Sequence, residues 1–140
     1  MRHLKLSSIP CIHIPVCNIE ASYKWWNEHF SLEVGEEMNN QNRNVSFRVE
    51  NGQWIFLWEV EKPPENPQVK GSLMNSDNTE LYKATLNFDD EKEKVIEEYN
   101  RLKRNGVHVG ELHEAWTGVA FDLYDPDGNK FNVWGGKWEE

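Results

Sequence analysis

The fold is decided at residues 119–134, which read VAFDLYDPDGNKFNVW. Apolar and polar side chains alternate over residues 119–124 and again over 130–134, as is typical of half-buried β-strands. Between them lies Asp125-Pro126-Asp127-Gly128, which favours a turn because proline presets φ and glycine accepts a positive φ. The stretch predicts a strand, a turn and a second strand.

Similar signals occur earlier in the chain. Residues 9–16 alternate and are rich in isoleucine, and residues 18–31 place apolar side chains at helical spacing behind Asn18, a candidate N-cap. Strands are predicted at 32–38, 45–50 and 53–60. Asn51-Gly52 precedes the last of these and predicts a type I′ hairpin turn, whose two central positions need positive φ.

The second half of the chain repeats this order. Residues 81–88 alternate, and a helix is predicted to begin at Asp89 or Asp90 and to end at Asn105-Gly106. Its apolar stripe is Val95, Ile96, Tyr99 and Leu102. Strands at 107–112, 119–124 and 130–134 follow, and an offset of 76 residues places Trp134 over Trp58.

These signals predict an α+β fold with two β-α-β-β-β modules, whose curved mixed sheets pair around a shared cleft and carry their helices outside. We expect one domain over residues 1–140, with module one at about 7–60 and module two at about 80–138. Residues 61–79 hold three of the six prolines and no sustained period, so they are interpreted as a connector.

Charge and composition exclude several classes of partner. The 24 acidic and 15 basic residues give a formal charge of −9, which disfavours nucleic acid. The longest apolar run, residues 54–58, is far shorter than the ~20 residues of a membrane span. The first ten residues lack the apolar core of a signal peptide, so we expect a cytoplasmic protein. Cys11 and Cys17 would lie about 20 Å apart on an extended segment, which predicts free thiols.

Three stretches resemble the vicinal oxygen chelate superfamily, also called the glyoxalase/bleomycin resistance/extradiol dioxygenase superfamily. They are Val16-Cys17-Asn18, where that family often has Val-x-Asp, Phe30-Ser31-Leu32-Glu33-Val34 at the helix exit, and the Tyr124–Phe131 stretch. The last is the most specific, because Asp-Pro-Asp-Gly-Asn before the final strand is a hallmark of the family. The resemblance covers nearly the whole chain and implies the paired β-α-β-β-β modules.

In metal-dependent members of the family, a divalent ion binds at the centre of the cleft. The resemblance places its ligand positions on Cys11, Phe56, Lys83 and Asn132. Phenylalanine has no lone pair and a charged lysine has only donors, so we expect no metal and no other cofactor. An atypical set of His13 and Glu59 is an alternative, but it requires a bulge because alternation puts Glu59 on the face opposite Phe56.

Strand alternation also predicts which side chains face the cleft. The candidate ligand-binding residues are Cys11, His13, Arg48, Trp54, Phe56, Trp58, Lys83, Asn132 and Trp134. Such a surface suits a flat organic molecule stacked on tryptophan, with a charge placed by Arg48 or Lys83. In the alternative interpretation, the tryptophans pack between the two sheets or at an intermolecular interface.

Catalytic residues are not assigned by the sequence. Cys11 near His13 suggests a nucleophile, but residues two apart on a strand have Cα atoms about 7 Å apart, which is loose for a thiol–imidazole pair. Residues 116–118 could form a loop over the cleft, but a simple β-turn is favoured.

The predicted function is the binding of a small molecule of cationic or aromatic character without a catalytic metal, similar to the bleomycin resistance branch of the family. The alternatives are a metal-dependent lyase, isomerase or thiol transferase of the glyoxalase type, and a non-catalytic interaction subunit. The resemblance also implies a homodimer, with or without exchange of modules. Whether the protein is an enzyme stays open.

Overall fold

Two mixed sheets and two helices form the part of the chain described by the structure, a computed structural model that covers residues 4–35, 41, 43–50, 52–61 and 81–137. The chain divides into two units, Met1–Val60 and Glu61–Glu140, and each contains one helix and one sheet. The fold is α+β, as predicted. Most of the predicted connector, residues 62–79, lies outside the described residues.

The first unit begins with a strand and a helix, followed by three more strands. These are β1 (Cys11–Val16), α1 (Ile19–Phe30), β2 (Glu33–Val34), β3 (Asn44–Arg48) and β4 (Trp54–Glu59). The sheet order is β1-β4-β3-β2, in which β1 runs parallel to β4 and the other pairs are antiparallel. A sequence-adjacent hairpin, β3–β4, therefore lies next to a strand from the start of the chain.

Helix α1 begins and ends at capped residues. The side chain of Asn18 accepts a hydrogen bond from the Ala21 amide at 3.0 Å, as expected of an N-cap. Ser31 ends the helix in the left-handed region at φ 51°. Ile19 and Trp26 are buried on the inner face of the helix, and the sheet contributes buried side chains at Ile14, Val16, Val45, Phe47, Ile55 and Leu57.

The hairpin between β3 and β4 differs from the prediction. The Gly52 amide donates to the Val49 carbonyl at 2.9 Å, and the Val49 amide donates to the Gln53 carbonyl at 2.9 Å. These bonds enclose three residues, so the predicted two-residue type I′ turn is wrong. Gly52, at φ 94°, supplies the positive φ that such a loop needs at its last position. Asn51 lies outside the described residues.

The second unit has the same arrangement with one additional strand. Its elements are β5 (Thr85–Leu86), α2 (Lys92–Arg104), β6 (His108–Val109), β7 (His113–Ala115), β8 (Gly118–Tyr124) and β9 (Lys130–Gly136). The sheet order is β5-β9-β8-β6, with β5 parallel to β9 and β7 also paired with β8. The sequence did not predict β7, and it predicted longer strands at β5 and β6.

Helix α2 begins later than the sequence indicated. Asp89 accepts a hydrogen bond from the Glu91 amide at 2.8 Å and so forms a turn before the helix, which starts at Lys92. Its end at Asn105 and Gly106 is confirmed, with Gly106 at φ 81°. Val95 and Leu102 of the predicted stripe are fully buried.

Residues 116 and 117 form the tip of the β7–β8 hairpin, since Ala115 pairs with Gly118. The favoured β-turn is therefore confirmed. Trp116 is held at φ 51° and is 82% exposed, whereas the Thr117 hydroxyl donates to the Lys137 carbonyl. No described helix combines the length and apolar character that crossing a bilayer requires.

Candidate functional site

One face of the first sheet carries a row of aromatic and reactive side chains. Ile55, Leu57 and Glu59 of β4 point toward α1, because a Glu59 oxygen accepts a hydrogen bond from the Ile19 amide at 3.1 Å. Alternation then places the remaining side chains of β4, and their partners on β1, on the opposite face. We call this surface the aromatic face; its members are Cys11, His13, Trp54, Phe56 and Trp58.

Three rings of the aromatic face are neighbours in nearly parallel planes. The centroids of His13 and Phe56 are 5.2 Å apart with an interplanar angle of 27°, and those of Phe56 and Trp58 are 6.4 Å apart at 19°. The parallel register, which pairs His13 with Phe56, brings the first two rings together. Trp58 is 42% exposed and His13 is also exposed, so this row is open in the first unit.

Hydrogen bonds connect Trp58, His13 and Cys11 into a triad. The indole Nε1 of Trp58 donates to His13 Nδ1 at 2.9 Å, and His13 Nε2 lies 3.5 Å from the Cys11 sulfur. An indole nitrogen can only donate, so Nδ1 is the acceptor and the neutral imidazole carries its proton on Nε2. His13 therefore presents an N–H group to the sulfur.

The expectation that Cys11 and His13 are too far apart is wrong. The distance between Cα atoms along a strand does not determine the distance between side-chain ends, because χ angles can tilt both groups along the strand. Here the bond from Trp58 holds the imidazole in an orientation that directs Nε2 at Cys11. Neither Cys11 nor Cys17 forms a disulfide, as predicted.

Glu59 lies on the face of the first sheet that is opposite the aromatic face, and it is paired there with Arg43. Arg43 Nε donates to Glu59 Oε1 at 2.8 Å, and the hydrogen bond from Arg43 lowers the pKa of Glu59. Arg43 also contacts Glu20 at 2.6 Å. Because Glu59 lies on the side of the sheet that faces α1 and His13 lies on the other, the alternative ligand set of these two residues does not form.

Arg48 lies next to Trp54 at one side of the aromatic face. The two residues are cross-strand partners on β3 and β4, and the guanidinium carbon is 5.8 Å from the centroid of the Trp54 ring. This is the distance of a cation–π contact. The contact places a positive charge beside the row of rings.

The second sheet carries a more polar face. Tyr82 donates a hydrogen bond to Asp122 Oδ1 at 2.7 Å, and Lys130 Nζ lies 3.8 Å from Asp122 Oδ2 and 4.9 Å from the Tyr82 ring centroid. Burial, followed by the hydrogen bond to Asp122, raises the pKa of Tyr82 to about 12. Tyr82 therefore stays a proton donor at neutral pH.

The three predicted site residues of the second unit differ in their surroundings. Lys83 is half-buried and its backbone amide donates to the Lys130 carbonyl at 2.7 Å. Asn132 donates to the Thr85 hydroxyl at 3.3 Å. Trp134 is only 4% exposed, and its indole N–H donates to the Ala115 carbonyl at 2.9 Å.

Two polar side chains of this unit were missed by the sequence reasoning. Tyr82 was not among the predicted site residues, and β5 spans only Thr85–Leu86, so strand alternation does not reach it. His108 was also not a predicted site residue; it lies on the edge strand β6 and stacks on Tyr124 with ring centroids 4.3 Å apart. Neither side chain had a local signal, since both are placed by strands distant in sequence.

The residues at the family's metal-ligand positions do not fit a metal. Phe56 has no donor atom and stacks beside His13, and a charged Lys83 has no lone pair to offer. Within residues 4–35, 41, 43–50, 52–61 and 81–137, no group of three or more His, Cys, Asp or Glu side chains could hold a metal ion.

Comparison with solved structures shows the same fold in several proteins. The chain resembles FosX, the genomically encoded fosfomycin resistance protein of Listeria monocytogenes, with a TM-score of 0.71, 18% identity and coverage of 96% of this chain and 95% of that one. Lactoylglutathione lyase from Agrobacterium tumefaciens has a TM-score of 0.68 and 20% identity, with coverage of 96% of this chain and 98% of that one. A glyoxylase/bleomycin resistance protein/dioxygenase domain from Frankia sp. EAN1pec has a TM-score of 0.69 and 15% identity, with coverage of 95% of this chain and 100% of that one.

The TM-scores show a common fold, and at identities of 15–20% the comparisons show the fold alone. No curated protein matches the chain in sequence. A family model, however, matches residues 8–133, which include both helices and nearly all of both sheets. The chain thus belongs to the Glyoxalase/Bleomycin resistance protein/Dioxygenase superfamily.

Proposed function

We propose that the protein binds a planar, partly apolar small molecule by stacking it against the aromatic face. The observation that carries this proposal is the row formed by His13, Phe56 and Trp58, whose neighbouring rings lie 5.2 and 6.4 Å apart. Aromatic side chains of this kind, combined with a few polar groups, are typical of small-molecule sites.

Arg48 supports a preference in ligand charge. A charge of the protein more than about 8 Å from a ligand is largely screened at physiological salt, whereas a guanidinium in contact is not. Arg48, which contacts Trp54 beside the rings, is the charge that we expect a stacked ligand to meet. We expect an anionic or neutral ring to bind more tightly than a cationic one.

Three probes with one ring system test both statements: 2-naphthol, naphthalene-2-sulfonate and 2-naphthylmethylammonium. Affinity is measured by isothermal titration calorimetry and by tryptophan fluorescence. In Phe56→Ala, which removes the middle ring, we expect affinity about 3- to 10-fold weaker, the value of one aromatic contact. The control is Trp25→Phe on α1, which should bind as the wild type does.

Two results would contradict the proposal. Failure of all three probes to bind would remove the stacking site, and equal affinity in Phe56→Ala and Trp25→Phe would place binding elsewhere. Tighter binding of the ammonium probe would overturn the assigned charge preference and return the ligand to the cationic class.

We further propose that the protein is a homodimer, which rests on the family resemblance. Sedimentation equilibrium should give about twice the chain mass of 16.5 kDa. A mass equal to that of one chain at micromolar concentration would contradict the dimer.

A further inference from the structure

Cys11 lies at the end of the Trp58–His13–Cys11 triad and beside the stacked rings of the aromatic face. We infer that Cys11 is a covalent attachment site for planar, soft electrophiles of the α,β-unsaturated carbonyl class. The inference rests on the proposed function for the recognition of planarity, and it adds a reactive atom to that surface.

The triad directs a hydrogen-bond donor at the sulfur. Since Trp58 occupies His13 Nδ1 as a donor, the imidazole proton is on Nε2, 3.5 Å from Cys11 Sγ. His13 in this tautomer cannot act as the base that removes the thiol proton. It stabilises negative charge on the sulfur during attack, as oriented N–H groups do for other anionic centres.

The rings supply the second half of the site. Phe56 and His13 stack at 5.2 Å; Cys11 precedes His13 by two residues on the same side of β1 and is paired with Trp54 across to β4. We expect a flat molecule that stacks on these rings and extends toward Trp54 to bring its edge to the sulfur, because His13 contacts both Phe56 and Cys11. Such proximity raises the effective concentration of the electrophile at the thiol.

The reaction is an addition and needs no oxidant or further reactant. The sulfur of Cys11 forms a bond to the β-carbon of the electrophile, the carbon–carbon π bond breaks, and its electron pair moves onto the carbonyl oxygen as an enolate. The proton lost by the thiol passes through solvent to the α-carbon. The product is a thioether with all atoms of both reactants.

Cys17 provides an internal control within the same chain. It is exposed, whereas Cys11 is half-buried, so accessibility alone predicts that Cys17 reacts faster. The triad predicts the reverse order. We expect N-methylmaleimide to modify Cys11 about tenfold faster than Cys17, the factor associated with a hydrogen bond to a charged group.

The experiment follows both thiols by site-resolved mass spectrometry of the full-length protein. N-phenylmaleimide is compared with N-methylmaleimide, and the gain from the phenyl ring should be larger at Cys11 than at Cys17. In His13→Phe the rate at Cys11 should fall about tenfold. His13→Gln, whose amide can donate to the sulfur, should recover part of that loss.

Trp58 is a positioning residue, because it acts through His13. Trp58→Phe keeps a ring and removes the N–H, and we expect a smaller loss at Cys11 than in His13→Phe with no change at Cys17. The ¹⁵N NMR shifts of His13 should show the proton on Nε2 in the wild-type protein and a mixture of tautomers in Trp58→Phe.

Three outcomes would overturn the inference. Modification of Cys17 at a rate equal to or above that of Cys11 would contradict the activation of the Cys11 thiol. This result is distinguishable from failure of the proposed function, because the naphthyl probes could still bind. A wild-type rate in His13→Phe removes the role of the triad. No extra gain from the phenyl ring at Cys11 removes the planar class of electrophile, and the naphthyl titrations then show whether the stacking surface itself has failed.

Discussion

The buried carboxyl of Asp125 makes the stability of the protein depend on pH. Asp125 is 5% exposed, and its Oδ1 accepts hydrogen bonds from the amides of Asp127 at 3.0 Å and Asn129 at 2.8 Å. Its Oδ2 accepts a third from the Asn129 side chain at 2.8 Å. Burial nevertheless raises the pKa of Asp125 from 3.8 to about 6, since desolvation outweighs these bonds.

The sign and size of the effect follow from that shift. Because the pKa of the folded state lies above that of the unfolded state, the folded protein binds the proton more tightly between the two values. The contribution of Asp125 to the free energy of unfolding is therefore greatest below pH 3.8 and declines as the pH rises to about 6. At about 1.4 kcal/mol for each whole-number difference in pKa, the decline is at most about 3 kcal/mol.

The perturbation is Asp125→Asn, which cannot titrate. Its oxygen can still accept from the two backbone amides, and Asn129 can rotate its own amide to accept from the new NH₂ group. The free energy of unfolding is measured by urea titration with tryptophan fluorescence at pH 4, 5, 6 and 7.5 in both proteins. Other carboxylates contribute equally to both, so the difference between the two curves isolates Asp125.

We expect the wild-type protein to lose about 2 to 3 kcal/mol relative to Asp125→Asn as the pH rises from 4 to 7.5, most of it below pH 6.5. A difference that stays constant would show that Asp125 titrates alike in the folded and unfolded states. A difference of opposite slope would show that the three hydrogen bonds outweigh burial.

Three further predictions concern the framework that holds the two faces. Gly118→Ala should lower the free energy of unfolding by about 2 kcal/mol or more, because the new Cβ would lie 1.9 Å from the Gly135 carbonyl oxygen. The control is Gly110→Ala, whose Cβ would lie 3.2 Å from the Asp122 side chain; in the same urea titration it should lower the free energy of unfolding by clearly less. Asn18→Ala removes the cap of α1 and should cost about 1 kcal/mol, whereas Asn18→Asp should retain stability, and equal loss in both would refute the capping role. Glu59→Gln should lower the melting temperature at pH 7, because it removes the ion pair with Arg43. Arg43 lowers the pKa of Glu59, so the ion pair stabilises the fold above the unfolded-state pKa, and this stabilisation is lost as the pH falls through the folded-state pKa. A melting-temperature deficit at pH 3 equal to that at pH 7 would argue against the ion pair.

The agreement between sequence and structure is closest where one residue determines its local geometry. Asn18 caps α1 as predicted, and the Asp125–Asn129 turn forms where proline, aspartate and glycine favour it, with Gly128 at φ 83°. The Asn51-Gly52 signal located the β3–β4 hairpin but not its loop length, and β7 was not predicted. β7 is three residues long and mostly polar, so its sequence, His-Glu-Ala, has no hydrophobic periodicity that would predict a strand.

Alternation along the strands was enough to assign Cys11, His13, Phe56 and Trp58 to one face, because successive side chains of a strand point to opposite sides. It could not establish that Cys11 and His13 are in contact. That contact depends on Trp58, which is 45 residues from His13 in sequence and reaches it only through the parallel pairing of β1 with β4. Side-chain orientation and tautomer follow from such long-range hydrogen bonds, so they were decided by the tertiary structure, whereas periodicity and turn chemistry are local and were determined by the sequence itself.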